Sequence, residues 1–142
     1  MRYWDTSALV PLFVAERPSL TVERWLRADP EVVVWIFTRV ELLSALARRR
    51  RAEPRATRRL RTVREDVIAA STAWSEVTAV DLVRRHAERL VESHPLRSAD
   101  ALQLGAALVA ADGDPTSIEL VTLDVRLADA GRVEGFRILT QP

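Results

Sequence analysis

The sequence predicts an α/β fold in which a central parallel sheet is covered by helices on both faces. Short apolar runs with strand character alternate with longer helical segments along the whole chain, and this alternation is typical of parallel sheets. The length of 142 residues fits one domain of common size. With 48% hydrophobic residues, the chain can build a core without disulfide bonds. We therefore expect one domain over residues 1–142.

The first elements are short. Residues 2–5 are expected to form a strand, and residues 6–15 a helix that begins with a hydroxyl cap from Thr6 or Ser7. A second helix is predicted over residues 18–29, because a proline stands close to each of its ends.

The clearest buried strand is the β-branched run VVVWI at residues 32–36. Thr38 can cap the helix that follows, RVELLSALARRRR, which extends to about residue 52. Pro54 stops this helix and opens the next, which we expect to end near residue 72.

The second half continues the alternation. Residues 76–80 can form a third strand, and residues 81–93 have the apolar spacing of an amphipathic helix. Ser98 can cap the helix ADALQLGAALVAA, which is apolar almost all round. The remaining predicted elements are a strand at 118–123, a short helix at 125–130 and a last strand at 136–139.

Composition excludes several kinds of site. Cysteine is absent, which rules out a disulfide scaffold, a thiolate zinc site and a cysteine nucleophile. No uncharged run is long enough to span a bilayer, and the first residues lack the cationic and apolar segments of a signal peptide. We therefore expect a cytoplasmic protein without a membrane segment.

Positive charge is concentrated in one segment, although the net charge of the chain is only +1. Residues 48–64 hold nine arginines against a single acid, so this segment carries +8 and the rest of the chain −7. Such a segment suits a polyanionic partner, although a solvated helix face is the alternative. The candidate residues for contact with the phosphates of such a partner are Arg48, Arg51, Arg55, Arg58 and Arg97.

Four acids are predicted to meet at one edge of the sheet. Asp5 closes the first strand and Asp124 the fourth, while Glu41 and Asp100 lie in the first turns of helices that begin near the same edge. Ligands of open parallel sheets bind beyond the carboxyl ends of the strands. We therefore expect these carboxylates to lie close together.

Each acid alone has a simpler interpretation as a helix cap or as a partner of a helix dipole. Together they repel, because two charges about 5 Å apart cost roughly 3 kcal/mol at an effective dielectric of about 20. Raised pKa values or a bound cation must offset that cost. Neither histidine nor cysteine joins the four acids, so the oxygen ligands favour Mg²⁺ or Mn²⁺. A site of this kind suits phosphoryl chemistry.

Four sequence blocks resemble the motifs of one known family. In chain order, WDTSALV, VELLSAL, LRSADALQLGAAL and VTLDVRLADAG are similar to the four motif blocks of the PIN domain. They resemble most closely its VapC branch, the toxin ribonucleases of bacterial toxin–antitoxin pairs. The resemblance covers nearly the whole chain and implies a three-layer α/β/α sandwich. It also implies an endoribonuclease that hydrolyses RNA phosphodiesters with metal-activated water.

The resemblance also implies roles for individual residues. Asp5 and Asp100 match the most direct metal ligands of the family's acidic quartet, and Glu41 and Asp124 match the other two members. The quartet residues are therefore the expected catalytic and metal-binding residues. Ser7 and Thr122 match hydroxyl positions that the family often keeps, and we expect both to orient carboxylates.

Further implications concern partners and one departure. The family implies a homodimer and a small VapB-like antitoxin whose tail covers the groove. Many relatives carry histidine where this chain has Gln103, and alanine is common where it has Gly105. The helix is expected to survive both changes, but any role of a histidine is absent here.

Three other functions fit parts of the sequence. A haloacid-dehalogenase-like phosphatase also begins with an aspartate after a first strand, but it needs a second aspartate where this chain has Ser7, and a lysine, which the chain lacks. A non-catalytic interaction module on the same fold would be expected to have lost an acid. A PIN nuclease of RNA maturation, outside toxin–antitoxin pairs, is the third alternative.

Overall fold

A computed structural model describes residues 1–141 and shows a five-stranded sheet. All neighbouring strands are parallel, in the order β3-β2-β1-β4-β5. The strands are β1 (Arg2–Trp4), β2 (Val32–Trp35), β3 (Ser75–Val77), β4 (Glu119–Val121) and β5 (Arg137–Leu139). The predicted α/β class with a central parallel sheet is confirmed.

Seven α-helices flank the sheet among the described residues. They are α1 (Thr6–Phe13), α2 (Ser19–Ala28), α3 (Thr38–Ala52), α4 (Thr57–Ser71), α5 (Val80–Ser93), α6 (Ser98–Ala110) and α7 (Val125–Val133). Two 3₁₀ turns, Pro54–Ala56 and Pro115–Ser117, precede α4 and β4. Neither turn was predicted, since the helix after Pro54 was expected to begin at that proline and α4 begins at Thr57. No helix within residues 1–141 combines the length and apolar character needed to cross a membrane.

Two hydrophobic cores lie on opposite faces of the sheet because strand side chains alternate. Tyr3 packs into the core formed with α5, α6 and α7, whereas Trp4 packs into the core formed with α1 to α4. Both aromatic side chains are fully buried. The result is the predicted three-layer arrangement, with helices above and below the sheet.

Helix starts differ from the sequence prediction at three places. The cap of α1 is Asp5 and not Thr6 or Ser7, because Asp5 is the last residue with an extended backbone and its carboxylate accepts the Ser7 N–H at 3.2 Å. Thr38 already belongs to the first turn of α3, and its hydroxyl is buried instead of capping the helix.

Ser98 is likewise the first helical residue of α6, and the preceding Arg97, which is extended, offers no side-chain cap. The other differences are small shifts of element ends. The strands are shorter than predicted, and α7 continues to Val133, beyond the predicted residue 130. The first helix ends at Phe13, before the predicted residue 15, because Val14 is extended.

The order of the strands positions a cleft. From β1 the chain builds β2 and β3 on one side of the sheet, and then β4 and β5 on the other. Such a switch point leaves a crevice beyond the carboxyl ends of the central strands. Tyr3 pairs with Val33 of β2 and Leu120 of β4, so Asp5 emerges at the centre of this crevice.

Candidate active site

A cleft of about 780 Å³ lies beyond the carboxyl end of β1. It is bounded by the first turns of α1, α3 and α6 and by the residues that precede and begin α7. All four acids predicted from the sequence line this cleft: Asp5, Glu41, Asp100 and Asp124. The structure therefore gathers side chains that are up to 119 positions apart in the sequence, through the adjacent placement of β1 and β4.

Asp5 is the most buried of the four acids, with 6% of its surface exposed. Its Oδ2 atom accepts hydrogen bonds from the hydroxyl and the N–H of Ser7 and from the Thr122 hydroxyl, the last at 2.9 Å. Burial raises the pKa of Asp5 from 3.8 to about 6, against the lowering effect of these donors. Asp5 thus enters the cleft as a carboxylate whose charge is costly and whose orientation is fixed.

The two hydroxyls that hold Asp5 are themselves held. The backbone N–H of Leu123 donates to Ser7 Oγ at 2.9 Å, and the backbone N–H of Asp124 donates to Thr122 Oγ1 at 3.1 Å. Ser7 Oγ and Thr122 Oγ1 lie 3.2 Å apart. The loop after β4 therefore fixes both hydroxyl groups that donate to the Asp5 carboxylate.

Glu41 projects from the first turn of α3 into the same cleft. Its Oε2 atom accepts the Thr6 hydroxyl at 2.7 Å and the side-chain amide of Gln103 at 3.2 Å. The Gln103 amide reaches this point from α6, on the opposite face of the sheet. Glu41 is therefore held by two helices in addition to its own.

Asp100 and Asp124 form a second pair. Burial raises the pKa of Asp100, and the negative charge of Asp124 raises it further, against the positive charges of Arg97 and Arg126. Asp124 also caps α7, because its Oδ1 atom accepts the Leu127 N–H at 3.0 Å. The capping interpretation and a place in the cleft are thus both true of Asp124.

The comparison with protein families gives a match over most of the chain. The model described as "PIN domain" matches residues 2–133. The chain belongs to the PIN domain family. PIN domains are generally nucleases, which supports phosphodiester hydrolysis as the chemistry of a cleft lined with acids.

The fold of this PIN domain is also found among solved structures. A toxin–antitoxin complex from Klebsiella pneumoniae contains a chain with a TM-score of 0.64 and 17% sequence identity. The match covers 89% of this chain and 88% of that chain. No curated protein sequence matches the chain.

The acids of this PIN domain fit a hard divalent cation by their chemistry. Within residues 1–141, Asp5 Oδ1, Glu41 Oε1 and Asp124 Oδ2 accept no hydrogen bond, whereas the second oxygen of each carboxylate is held by protein donors. Free carboxylate oxygens of fixed orientation are the ligands that Mg²⁺ and Mn²⁺ take.

The charge of Glu41 raises the pKa of Asp5, and the charge of Asp124 raises the pKa of Asp100, so repulsion acts within each of these two pairs. No group of three or more acidic or histidine side chains within residues 1–141 is arranged to hold one ion.

Arginines share the cleft with the acids. Of the five predicted contacts for RNA, Arg48 and Arg97 line the cleft, and Arg126 of α7 joins them. None of these three guanidinium groups forms an ion pair within the described part of the chain. Arg51, Arg55 and Arg58 are exposed but lie outside this cleft.

Three side chains of the site were not predicted. Arg126 directly follows Asp124 and Val125, so its proximity to the predicted acid was the available signal. Thr6 was considered only as a cap, and Gln103 only as a substitute for a histidine. Their contacts with Glu41 depend on the packing of distant elements, which no local pattern reveals.

Proposed function

We propose that this chain is a Mg²⁺- or Mn²⁺-dependent endoribonuclease, the toxin of a VapBC-type toxin–antitoxin pair, formed by one PIN-like domain over residues 1–142. The observation that carries the proposal is the cleft of four carboxylates at the carboxyl edge of the sheet in a member of the PIN domain family. Asp5 is buried there at a clear electrostatic cost, which a cation would offset.

Asp5 and Asp100 would be the most direct ligands of the metal ion. Glu41 and Asp124 would hold it through water, because no three acids within residues 1–141 surround one point. A divalent cation in such a site polarises phosphate oxygens and makes water a stronger nucleophile. Ser7 and Thr122 fix the carboxylate of Asp5. Glu41 Oε1, which accepts no hydrogen bond within residues 1–141, would accept one from the attacking water.

The arginines would bind the substrate backbone. Arg48, Arg97 and Arg126 lie in the cleft and form no ion pair with an acid of residues 1–141. Their charges would therefore be available for the phosphates on either side of the bond that is cut. The positive surface would continue along α3 and α4 towards more distant phosphates, through Arg51, Arg55 and Arg58.

The proposed partner is a small VapB-like antitoxin, and the proposed assembly is a homodimer in the cytoplasm. The Klebsiella pneumoniae chain of similar fold comes from a toxin–antitoxin complex. Val40, which lines the cleft, is 60% exposed, and Val125, the first residue of α7 between Asp124 and Arg126, is 69% exposed. Apolar side chains next to a charged cleft are typical of surfaces that bind proteins.

Cleavage of total RNA by the purified, partner-free protein tests the activity. We expect new RNA ends with Mg²⁺ or Mn²⁺, none with EDTA, and none with Asp5→Asn or Asp100→Asn. Asp66→Asn, at an exposed acid of α4 outside the cleft, is the matched control and should retain cleavage at the same ends. Cleavage by both aspartate variants would refute the assigned mechanism, and no cleavage by the wild-type chain would favour the non-catalytic module.

Co-expression with the adjoining small reading frame tests the toxin assignment. We expect the small protein to co-purify and to suppress RNA cleavage, and the partner-free chain to have the mass of a dimer in light scattering. An active nuclease that binds no such protein would instead be a nuclease of RNA maturation.

A further inference from the structure

A buried glutamine connects the core to the candidate site. Gln103 is 1% exposed and lies one helical turn after Asp100 on α6, so both side chains project from the same side of the helix. Its amide nitrogen lies within hydrogen-bond distance of Glu41 Oε2 at 3.2 Å, and of the Thr6 and Thr38 hydroxyls at 3.1 Å each. The amide has two hydrogens for these three acceptors, one of which is the Glu41 carboxylate.

The other end of the same amide is fixed by Tyr3. The fully buried Tyr3 hydroxyl donates to Gln103 Oε1 at 2.7 Å. If the amide were reversed, its oxygen would face the Glu41 carboxylate at 3.2 Å, and two acceptors would repel each other. The carboxylate, which can only accept, therefore selects the orientation with the amide nitrogen towards Glu41, and the phenol donates to the oxygen at the other end.

Thr6 completes the arrangement around one oxygen atom. Its hydroxyl donates to Glu41 Oε2 at 2.7 Å while it lies 3.1 Å from the Gln103 amide nitrogen. Both donors thus act on the same carboxylate oxygen, and Glu41 Oε1 has no donor within residues 1–141. An apolar residue would fill this part of the core without holding Glu41.

We propose that Gln103 is a positioning residue, which holds Glu41 Oε2 so that Oε1 is presented to the divalent cation and the attacking water. This inference rests on the proposed function, and it assigns to glutamine a role through Glu41 that the sequence did not predict. Outer residues that orient metal ligands typically change metal affinity or activity by about 10–100-fold when they are replaced.

The test compares Gln103→Met, which keeps the length of the side chain, with Leu104→Met, a fully buried neighbour in the same helix. Calorimetric titration with Mn²⁺ alone measures metal affinity, and steady-state cleavage of one RNA substrate separates kcat from KM. For Gln103→Met we expect Mn²⁺ affinity and kcat to fall by about tenfold or more, with KM for RNA unchanged. Leu104→Met should change none of these values.

A second background shows whether the effect passes through Glu41. In Glu41→Gln, the added Gln103→Met change should no longer alter Mn²⁺ affinity, because the carboxylate it orients is gone. Persistence of the full loss in that background would overturn the inference, as would wild-type affinity and kcat in Gln103→Met. If Gln103→Met does not fold, Tyr3→Phe decides: we expect a smaller loss of the same kind, and no loss overturns the inference.

The outcome is distinct from failure of the proposed function. A wild-type chain that neither binds Mn²⁺ nor cleaves RNA would refute the metal-dependent nuclease, and the role of Gln103 with it. A wild-type chain that does both, while the Gln103 and Tyr3 variants behave like it, would refute only the positioning role.

Discussion

Replacing Asp5 with asparagine should make the metal-free protein more stable at neutral pH. The pKa of this buried carboxyl is about 6 in the folded protein, against 3.8 ordinarily. Between pH 4 and pH 6 the folded state therefore keeps a proton that the unfolded chain loses, so stability falls as the pH rises through this range. At 1.36 kcal/mol per pKa unit, the loss amounts to about 3 kcal/mol above pH 6.

Asparagine escapes this loss because it does not ionise, and its carbonyl oxygen can still accept hydrogen bonds from Ser7 and Thr122. In urea unfolding at pH 7.5 with EDTA, we expect the free energy of unfolding of Asp5→Asn to be higher than that of the wild type by up to about 3 kcal/mol. At pH 4 the difference should nearly vanish. Asp66→Asn is the matched control, since Asp66 is exposed on α4, and it should change little at either pH.

Two results would refute this reasoning. One is an Asp5→Asn variant that is less stable than the wild type at pH 7.5 without metal. The other is a difference that is the same at pH 4 and pH 7.5, which would mean that the ionisation of Asp5 costs the fold nothing.

Three further predictions concern the metal, the packing of two helices and an ion pair. Mn²⁺ at about one hundred times its dissociation constant should stabilise the wild type by about 2.7 kcal/mol in thermal unfolding but not Asp5→Asn; equal stabilisation of both would contradict the assigned ligand. Gly105→Ala should lower the free energy of unfolding by about 1–3 kcal/mol, because the added Cβ would lie 2.9 Å from the Val83 carbonyl oxygen. An unchanged midpoint in urea unfolding would contradict this, because it would mean that α5 and α6 accommodate the methyl group without cost. Glu134 accepts hydrogen bonds from Arg89, which lower its pKa, so Glu134→Gln should cost about 1–3 kcal/mol at pH 7. That cost should shrink as the pH falls through the pKa of Glu134. A cost that stays constant in acid would show that the negative charge of Glu134 does not contribute to the stability.

Much of the fold follows from local patterns. The β-branched run at residues 32–36 and the stop at Pro54 each determine an element through backbone preference alone. The gathering of acids follows from one rule of parallel sheets, since Asp5 and Asp124 come after neighbouring strands. What these acids do in the cleft stays a prediction until the nuclease assays are made.

The features that were missed depend on contacts between distant parts of the chain. Thr38 has a residue type suited to capping, but its hydroxyl lies in the core beside Gln103. The bond between Tyr3 and Gln103 joins residues that are 100 positions apart. Gly105 lies close to the backbone of α5, and the spacing of apolar residues in the sequence does not predict this contact. Burial partners of this kind are set by tertiary packing and not by propensity.

The pairing of β1 with β4 also determines at what stage of synthesis the cleft can form. Thr122 and Asp124 follow β4, and β4 aligns beside the first strand only after most of the chain has been made. A growing polypeptide that ends before β4 therefore has Asp5 but lacks Asp124 and one of the two hydroxyls that hold Asp5. The acidic cleft can therefore form only once the chain has been extended through Asp124, although its central acid, Asp5, is among the first residues made.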